Sequence, residues 1–259
     1  MSRVRLPAFV VVHDAPEPCV YLPDRQMRLP LRLPSPRQLS PLQFDLLLEA
    51  GDRRSGPLLY RPDCAHCEAC EAIRIPVARF EPTRSQRRSV KKNLDVDAGL
   101  GPALLDDTRL GLYNRHKRER GLARREGDAT ARDYHFFLLE TCVDTREFRY
   151  YVGDRLIAVS ILDLGFRGVS SVYHYFDPDE AARSIGVYSV LREIAYCREE
   201  GFEWYYLGLY VSDCQHLRYK ADYYPHQRRR FGVWREYSGP DDHEGVEVDP
   251  LTGHPASRG

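Results

Sequence analysis

The sequence predicts an α+β protein in two parts: a small N-terminal domain with a Cys-rich loop, and a C-terminal domain of strands around one long amphipathic helix. Three observations predict it. The first half is broken by prolines and carries C-x2-C-x2-C at Cys64, Cys67 and Cys70. In the second half, Glu147–Val152, Leu156–Leu164, Val169–Phe176 and Trp204–Val211 are strand-like runs of β-branched and aromatic residues. Between the last two runs, Val187, Val190, Leu191, Ile194 and Ala195 recur at i, i+3, i+4, i+7 and i+8, the apolar stripe of a helix. The expected boundaries are 1–100 and 101–237, with 238–259 a polar tail expected to be disordered.

The totals bound the function. With 259 residues, 42% of them hydrophobic, the chain can bury a core and is not a disordered chain. Thirty-eight basic residues balance 38 acidic ones, which excludes indiscriminate polyanion binding and leaves nucleic acid only through a local basic surface. No stretch is apolar enough to span a bilayer, and the apolar run in MSRVRLPAFVVVHDAPEP is too short for a signal peptide. A cytoplasmic protein is expected, without membrane or DNA as partners. Its seven Cys are then expected as reduced thiols or ligands rather than disulfides.

The elements follow in chain order. Pro16–Pro41 holds too many prolines for continuous helix and reads as an extended wrap. Leu42–Glu49 reads as a short helix ending at Gly51. Ile73–Phe80 alternates as a strand interrupted by Pro76, and a basic run covers Pro82–Asn93. Asp107–Arg125 reads as a charged helix and Asp133–Thr141 as a further short one. Gly153-Asp154 signals a hairpin between the first two strands of the second half. Ser184 and Gly186 are expected to cap the start of the Val187–Glu200 helix, and Gly201 its end. Phe231–Tyr237 closes the series as a last strand. Hairpin, strand, capped helix, strand is the core order of an N-acetyltransferase-like (GNAT-type) acyltransferase domain.

Several residues could carry chemistry. Arg79, Arg84, Arg87, Arg88, Lys91 and Lys92 crowd together, opposed only by Glu81. Such a run suits a nucleic-acid backbone or an acidic ligand, since a guanidinium grips a carboxylate through two hydrogen bonds; the plainer alternative is a solvated face. Free amides near Ser184 and Gly186, at the helix start, could hold a phosphate. Asp177 follows a strand and could accept a proton, or simply make the turn before Pro178. In Tyr219-Lys220 a lysine stands beside a phenol and could bind phosphate or orient an amide. The cysteine loop offers three soft ligands, and the position where a ferredoxin run has its fourth Cys is Arg74, so Cys19 or His66 would complete a zinc or iron–sulfur site. The alternative is packed thiols, the role expected for Cys142, Cys197 and Cys214.

YRPDCAHCEACEAIRIPVARFEPTRSQRRSVKKN (Tyr60–Asn93) resembles the arginyl-tRNA–protein transferase family. SSVYHYFDP (Ser170–Pro178), RSIGVYSVLREIAYCREEGFEWYYLGLYV and RYKADYYP (Arg218–Pro225) resemble its C-terminal half. With YLPDRQMRLPLR and RRSGPLLYRP, the likeness covers most of Cys19–Tyr237, and it departs at Gln215-His216-Leu217, where Lys-Met is expected. The branch it resembles most is the bacterial, leucyl-transferring one. The resemblance implies that an aminoacyl-tRNA, leucyl-tRNA favoured, donates its aminoacyl group to proteins beginning with Asp or Glu and so marks them for degradation. The candidate substrate-binding residues are then Arg74, Arg84, Arg87, Arg88, Lys91, Lys92, Ser184 and Gly186, and the candidate catalytic ones Asp177, Tyr219 and Lys220. Related eukaryotic enzymes are thought to carry an iron–sulfur cluster on N-terminal cysteines, which here would be Cys19, Cys64, Cys67 and Cys70.

The chemistry agrees. Aminolysis of an ester by an α-amine of pKa about 7.7–8.0 needs no cofactor. It needs two aligned substrates, a proton acceptor and a steadied oxyanion. Three rivals remain: an arginyl transferase of the same family; a coenzyme A acetyltransferase, disfavoured by the missing glycine-spaced signature; and a non-enzymatic, metal-cluster RNA-binding regulator, which leaves the second block without a purpose.

Overall fold

Strands from both halves of the chain join one nine-stranded sheet in the computed structural model, which describes residues 4–122 and 127–256. The N-terminal part runs β1 (Ala8–His13), β2 (Pro16–Pro18), β3 (Gln26–Arg28), β4 (Leu31–Ser35), α1 (Pro41–Glu49), β5 (Arg53–Ser55) and β6 (Leu58–Tyr60). Next come β7 (Glu71–Pro76), α2 (Arg84–Lys91), β8 (Val96–Pro102), α3 (Asp107–Glu119), α4 (Ala131–Tyr134), β9 (Asp144–Val152), β10 (Arg155–Leu164) and β11 (Gly168–Phe176). The chain ends through α5 (Ile185–Glu199), β12 (Trp204–Tyr210), β13 (His226–Arg230), β14 (Val233–Tyr237) and β15 (Val246–Glu247). The large sheet has the order β15-β14-β13-β7-β12-β11-β10-β9-β8; β1-β4-β6-β5 form a second sheet and β2-β3 a ribbon.

β7 decides how the halves relate. All six of its residues are buried, and it is hydrogen-bonded to β12 on one side and β13 on the other. Ile73 and Ile75 face the core under α5, while Ala72 faces the core under α1. The part before residue 100 therefore has no separate core: α1 sets Phe44, Leu47 and Leu48 against Trp204, Tyr206 and Trp234 from the second half. Among the described residues no helix is long and apolar enough to cross a membrane.

Local chemistry explains most of the elements. Ser40 and Thr83 open α1 and α2 with full capping boxes, closed by Gln43 and Gln86. Gly153, at φ +56°, turns the two-residue hairpin that pairs Val152 with Arg155. Gly201, at φ +79°, ends α5 as expected. The helix α2 was not legible in the basic run because its buried face is polar: Gln86 donates to Asp222 O at 3.1 Å, and Asn93 just beyond the helix donates to Arg183 O at 2.9 Å. The charged helix expected to reach Arg125 ends as α3 at Glu119, and Arg125 lies outside the described residues.

The expectation of a disordered tail from 238 onward does not hold over 238–256, and 257–259 lie outside the described residues. β15 pairs with β14, Val248 is buried, and the tail's carbonyls serve buried donors. Pro250 O accepts from Arg74 at 2.8 Å and Gly253 O from Gln227 at 3.1 Å. Polar composition misled here because the tail docks through its backbone, which composition does not record.

Candidate active site

β11 and β12 run parallel and pair at only three positions, Gly168↔Trp204, Val169↔Tyr205 and Ser170↔Tyr206. Beyond them β11 continues to Phe176 and β12 to Tyr210 with no further pairing, so the sheet opens as a fork. Arg53, from β5, spans the fork's base: its Nη1 donates to Ser170 Oγ at 3.0 Å and its Nη2 to Ser171 O at 2.5 Å. Lys220, on a short turn at Arg218–Asp222, donates from Nζ to Leu209 O at 3.0 Å. Gly208 lies between them at φ +96°, beside a register shift against β7. A Cβ at Gly208 would stand 3.1 Å from Arg53 Nη2 and 3.2 Å from Lys220 Nζ, so this glycine lets both cations reach one point.

Neither Arg53 nor Lys220 forms an ion pair among the described residues. Burial lowers the pKa of Arg53, and burial followed by the charge of Arg53 pushes the enclosed Lys220 ammonium down to about 7. Beneath the fork, fully buried Glu193 of α5 accepts from Tyr150 OH at 2.9 Å and from Tyr205 OH, and burial pushes its carboxyl up. Ser160 Oγ lies 2.8 Å from His174 Nδ1, whose ring burial holds down to about 3. The fork thus sets Arg53 and Lys220 beside a buried layer of hydroxyls around the Glu193 carboxyl.

The residues singled out from the sequence divide. Arg84, Arg87, Arg88 and Lys91 are exposed at i, i+3, i+4 and i+7, one face of α2. Arg84, Arg88 and Lys91 make no ion pair among the described residues; Arg87 donates to Pro82 O, and Lys92 Nζ donates to Ala182 O at 2.9 Å. That last bond, with Asn93 on Arg183 O, sets the basic stripe beside the start of α5. Ser184 there is left-handed, φ 58° and ψ 44°, with no side-chain cap bond, so its expected capping role is corrected. Nothing lies within 4 Å of where a Cβ on Gly186 would sit, which leaves that first turn open.

Two candidates are structural. Arg74 is buried between Trp204 and Trp234, 3.7 and 4.3 Å from their ring centres, and donates to Gln227, Tyr206 OH and Pro250 O. Every nitrogen is engaged, so it offers no face to a substrate. Asp177 accepts from Arg115 at 2.7 Å and Arg155 at 2.8 Å and caps the turn at Asp179 N. Both its oxygens are held by guanidinium groups, against its expected role as proton acceptor. Tyr219 shares the Lys220 turn and is 44% exposed.

Cys19, Cys67 and Cys70 meet in an apolar cluster with Leu22, Val211 and Cys214, so Cys214 belongs with the N-terminal thiols rather than the distal core. Cys64 and Cys67 pair through their backbones with both thiols free, and Cys64 Sγ accepts from Arg28 N at 3.4 Å. Arg25 Nη1 donates to Cys67 Sγ at 3.4 Å, and burial, with the neighbouring sulfurs, pushes the Cys70 thiol up to about 12. The donors are soft, as a zinc or iron–sulfur site requires. Among the described residues, however, no three side chains stand in a metal-holding arrangement.

Comparison with known proteins gives this geometry a family. Residues 17–88 match the arginine-tRNA-protein transferase N-terminus and residues 108–230 the C-terminus. An aspartate/glutamate leucyltransferase of Stenotrophomonas maltophilia is 37% identical over 87% of this chain and 92% of its own length. The chain belongs to the arginine-tRNA-protein transferase family. Aspartate/glutamate leucyltransferases of Chromobacterium violaceum, 34% identical over 85% of this chain and 91% of theirs, and of Pseudomonas aeruginosa, 37% over 81% and 89%, are further relatives. Among solved structures, the C-terminal domain of a lysylphosphatidylglycerol synthetase from Agrobacterium fabrum aligns over 67% of this chain and 53% of its own, with TM-score 0.42 and 14% identity. FemX aligns over 64% and 59%, with TM-score 0.42 and 9% identity.

For this transferase, sequence reasoning missed Arg53, Gly208 and Glu193. Arg53-Arg54-Ser55-Gly56 stands in the quoted lead-in, but nothing in two adjacent arginines tells that Arg53 reaches the fork while Arg54 buries an ion pair with Asp163 at 2.6 Å. Glu193 interrupts the buried face of α5, and that break was the available signal.

Proposed function

We propose that the chain transfers leucine from leucyl-tRNA to the α-amine of proteins beginning with Asp or Glu, making a degradation signal in the cytoplasm. The observation that carries this reading is the fork with two cations unpaired by any carboxylate. A three-residue parallel pairing that splays beside the start of a helix also supports an N-acetyltransferase-like architecture for β9–β12. The ester carbonyl enters the fork, and Arg53 steadies the oxyanion. Lys220, near neutrality, takes one proton from the acceptor's ammonium. The amine nitrogen bonds to the carbonyl carbon, the carbon–oxygen ester bond breaks, and the ribose oxygen leaves with the second proton. The α2 stripe and the open first turn of α5 hold tRNA phosphates. Cys19, Cys64, Cys67 and Cys70 would hold zinc or an iron–sulfur cluster as a structural tie between the wrap and the loop. Metal analysis of anaerobically purified protein and of Cys67→Ser checks that assignment.

The deciding experiment offers labelled leucyl- and arginyl-tRNA with peptides beginning Asp, Glu, Ala and Lys. Leucine should appear on the first two alone. Faster transfer of arginine would reverse the donor, and equal labelling of all four peptides would sink the acceptor rule.

A further inference from the structure

Five of the seven buried side-chain atoms without a hydrogen-bond partner, among the described residues, belong to Glu71, His226, Arg228 and Tyr237. All four residues line one half-open cavity of about 320 Å³. Buried polar groups are almost always paired, so such a concentration marks surface shaped for something else. Glu71 Oε2 and Arg228 Nε are 3.4 Å apart without hydrogen-bond geometry, and Arg230 Nε is 3.6 Å from Glu71 Oε1. A carboxylate and guanidinium free to close would reach about 2.7–2.9 Å. They are held apart because the Arg228 guanidinium lies flat on Tyr237, 3.6 Å from the ring centre, and 4.6 Å from that of Tyr210. The cavity therefore presents the Glu71 carboxylate and the Arg228 and Arg230 guanidinium groups incompletely paired, while the second carboxylate of its lining, Asp242, is held by Ser238 N and Gly245 N. His226 beside them makes no hydrogen bond of normal geometry.

We propose that this cavity receives the first residue of the acceptor polypeptide as a zwitterion, its α-ammonium against Glu71 and its side-chain carboxylate against Arg228 and Arg230. The assignment rests on the leucyl-transfer reading for the identity of the ligand. Its incompletely paired charges match an N-terminal Asp or Glu: a lone anion would meet Glu71, and a lone cation the two arginines. Position agrees, because Tyr210 lines the cavity two residues beyond Gly208, about 7 Å along β12 from the fork. Lys220 and Ala221 are neighbours on the turn that serves both. An amine held here must leave Glu71 and advance about 7 Å, two residues of β12, before it meets Lys220 and the ester in the fork.

The test measures binding directly, with fluorescent peptides beginning Asp or Asn, each with a free or acetylated α-amine, and no tRNA. The full chain should bind the free Asp peptide about tenfold or more tighter than either the Asn or the acetylated one. Arg228→Gln should erase the Asp-over-Asn preference and keep the free-amine preference; Glu71→Gln should do the reverse. Arg230→Gln, at a side chain 46% exposed, should weaken the Asp preference without risk to folding. Unchanged preferences in the Arg230→Gln and Arg228→Gln proteins overturn the assignment. Leucyl transfer by the wild-type protein, measured alongside, separates the two claims. Binding with these preferences but no transfer defeats the enzymatic reading alone, and transfer with preferences untouched by the variants defeats the cavity alone.

Discussion

Helix α2 and the β11–β12 fork are neighbours built on opposite rules. α2 follows the local rules of a surface helix: Thr83 and Gln86 close a capping box, its cations face solvent, and on its inner face Gln86 donates to Asp222 O. The fork breaks several. Ser184 and Gly208 are left-handed, and Arg53 and Lys220 are enclosed without a carboxylate. A sequence resolves such conflicts in favour of the fold unless something else holds them, which is why they gather at working sites. The lesson is that α2 offers ordinary surface charge, whereas the fork holds enclosed groups whose pKa values burial has lowered.

The largest effect should come from Lys220. Lys220→Met should lower kcat by about 10²–10⁴ if the amine accepts a proton. In the native enzyme kcat should rise with pH through about 7, and the variant should lose that limb. Stability has the opposite interest in this group. Its folded pKa lies below its unfolded value of 10.5, so the unfolded chain binds the extra proton between about 7 and 10.5 and stability climbs with pH across that window. Urea titrations of Lys220→Met should show no such climb. A full-activity variant would leave the fork no more catalytic than α2.

Arg74 separates buried cations that act from those that hold. Arg74→Ala strands Gln227, Tyr206 and Pro250 O and opens a gap between two indoles. It should cost about 3–5 kcal/mol of unfolding free energy. A stable variant with a raised KM would restore the substrate role that the sequence suggested.

On the α2 side, Arg84→Ala, Arg87→Ala and Arg88→Ala together should weaken tRNA binding about tenfold at moderate salt. They should also flatten its salt dependence by about 0.7–0.9 for each phosphate left without its cation. Unfolding should move by no more than about 0.5 kcal/mol, as for exposed residues elsewhere. Normal tRNA affinity with a normal salt slope would leave the stripe a solvated face.

Legibility followed the same division. Periodicity found α5, the hairpin β9–β10 and β11–β12 because their apolar faces repeat in sequence. It passed over α2, whose buried side is Gln86 and Ser89, and β13, whose HQRRR has no apolar residue at all. Charge density found the α2 stripe because unpaired cations were consecutive. It could not find Arg53, whose importance comes from Ser170 and Gly208, 117 and 155 positions away in the chain. Contacts at that separation are set by topology, and the parallel step from β11 through α5 to β12 was the one topological feature the element order carried.

The smallest expected effect tests the fork's uncapped helix. If Ser184 capped α5, Ser184→Ala would cost about 1 kcal/mol. Its hydroxyl makes no cap bond, so the change should stay within about 0.5 kcal/mol. Ser184→Gly should go the other way. A left-handed conformation costs a residue with a Cβ about 1–2 kcal/mol, and glycine escapes that cost. Glycine also gains about 0.4–1 kcal/mol of freedom in the unfolded chain, which offsets part of the relief. The net should be a stabilisation of about 0.5–1 kcal/mol, readable as a shifted urea midpoint at constant slope. A destabilised glycine variant would mean that the serine side chain is held by something other than the cap, and the start of α5 would then resemble α2 after all.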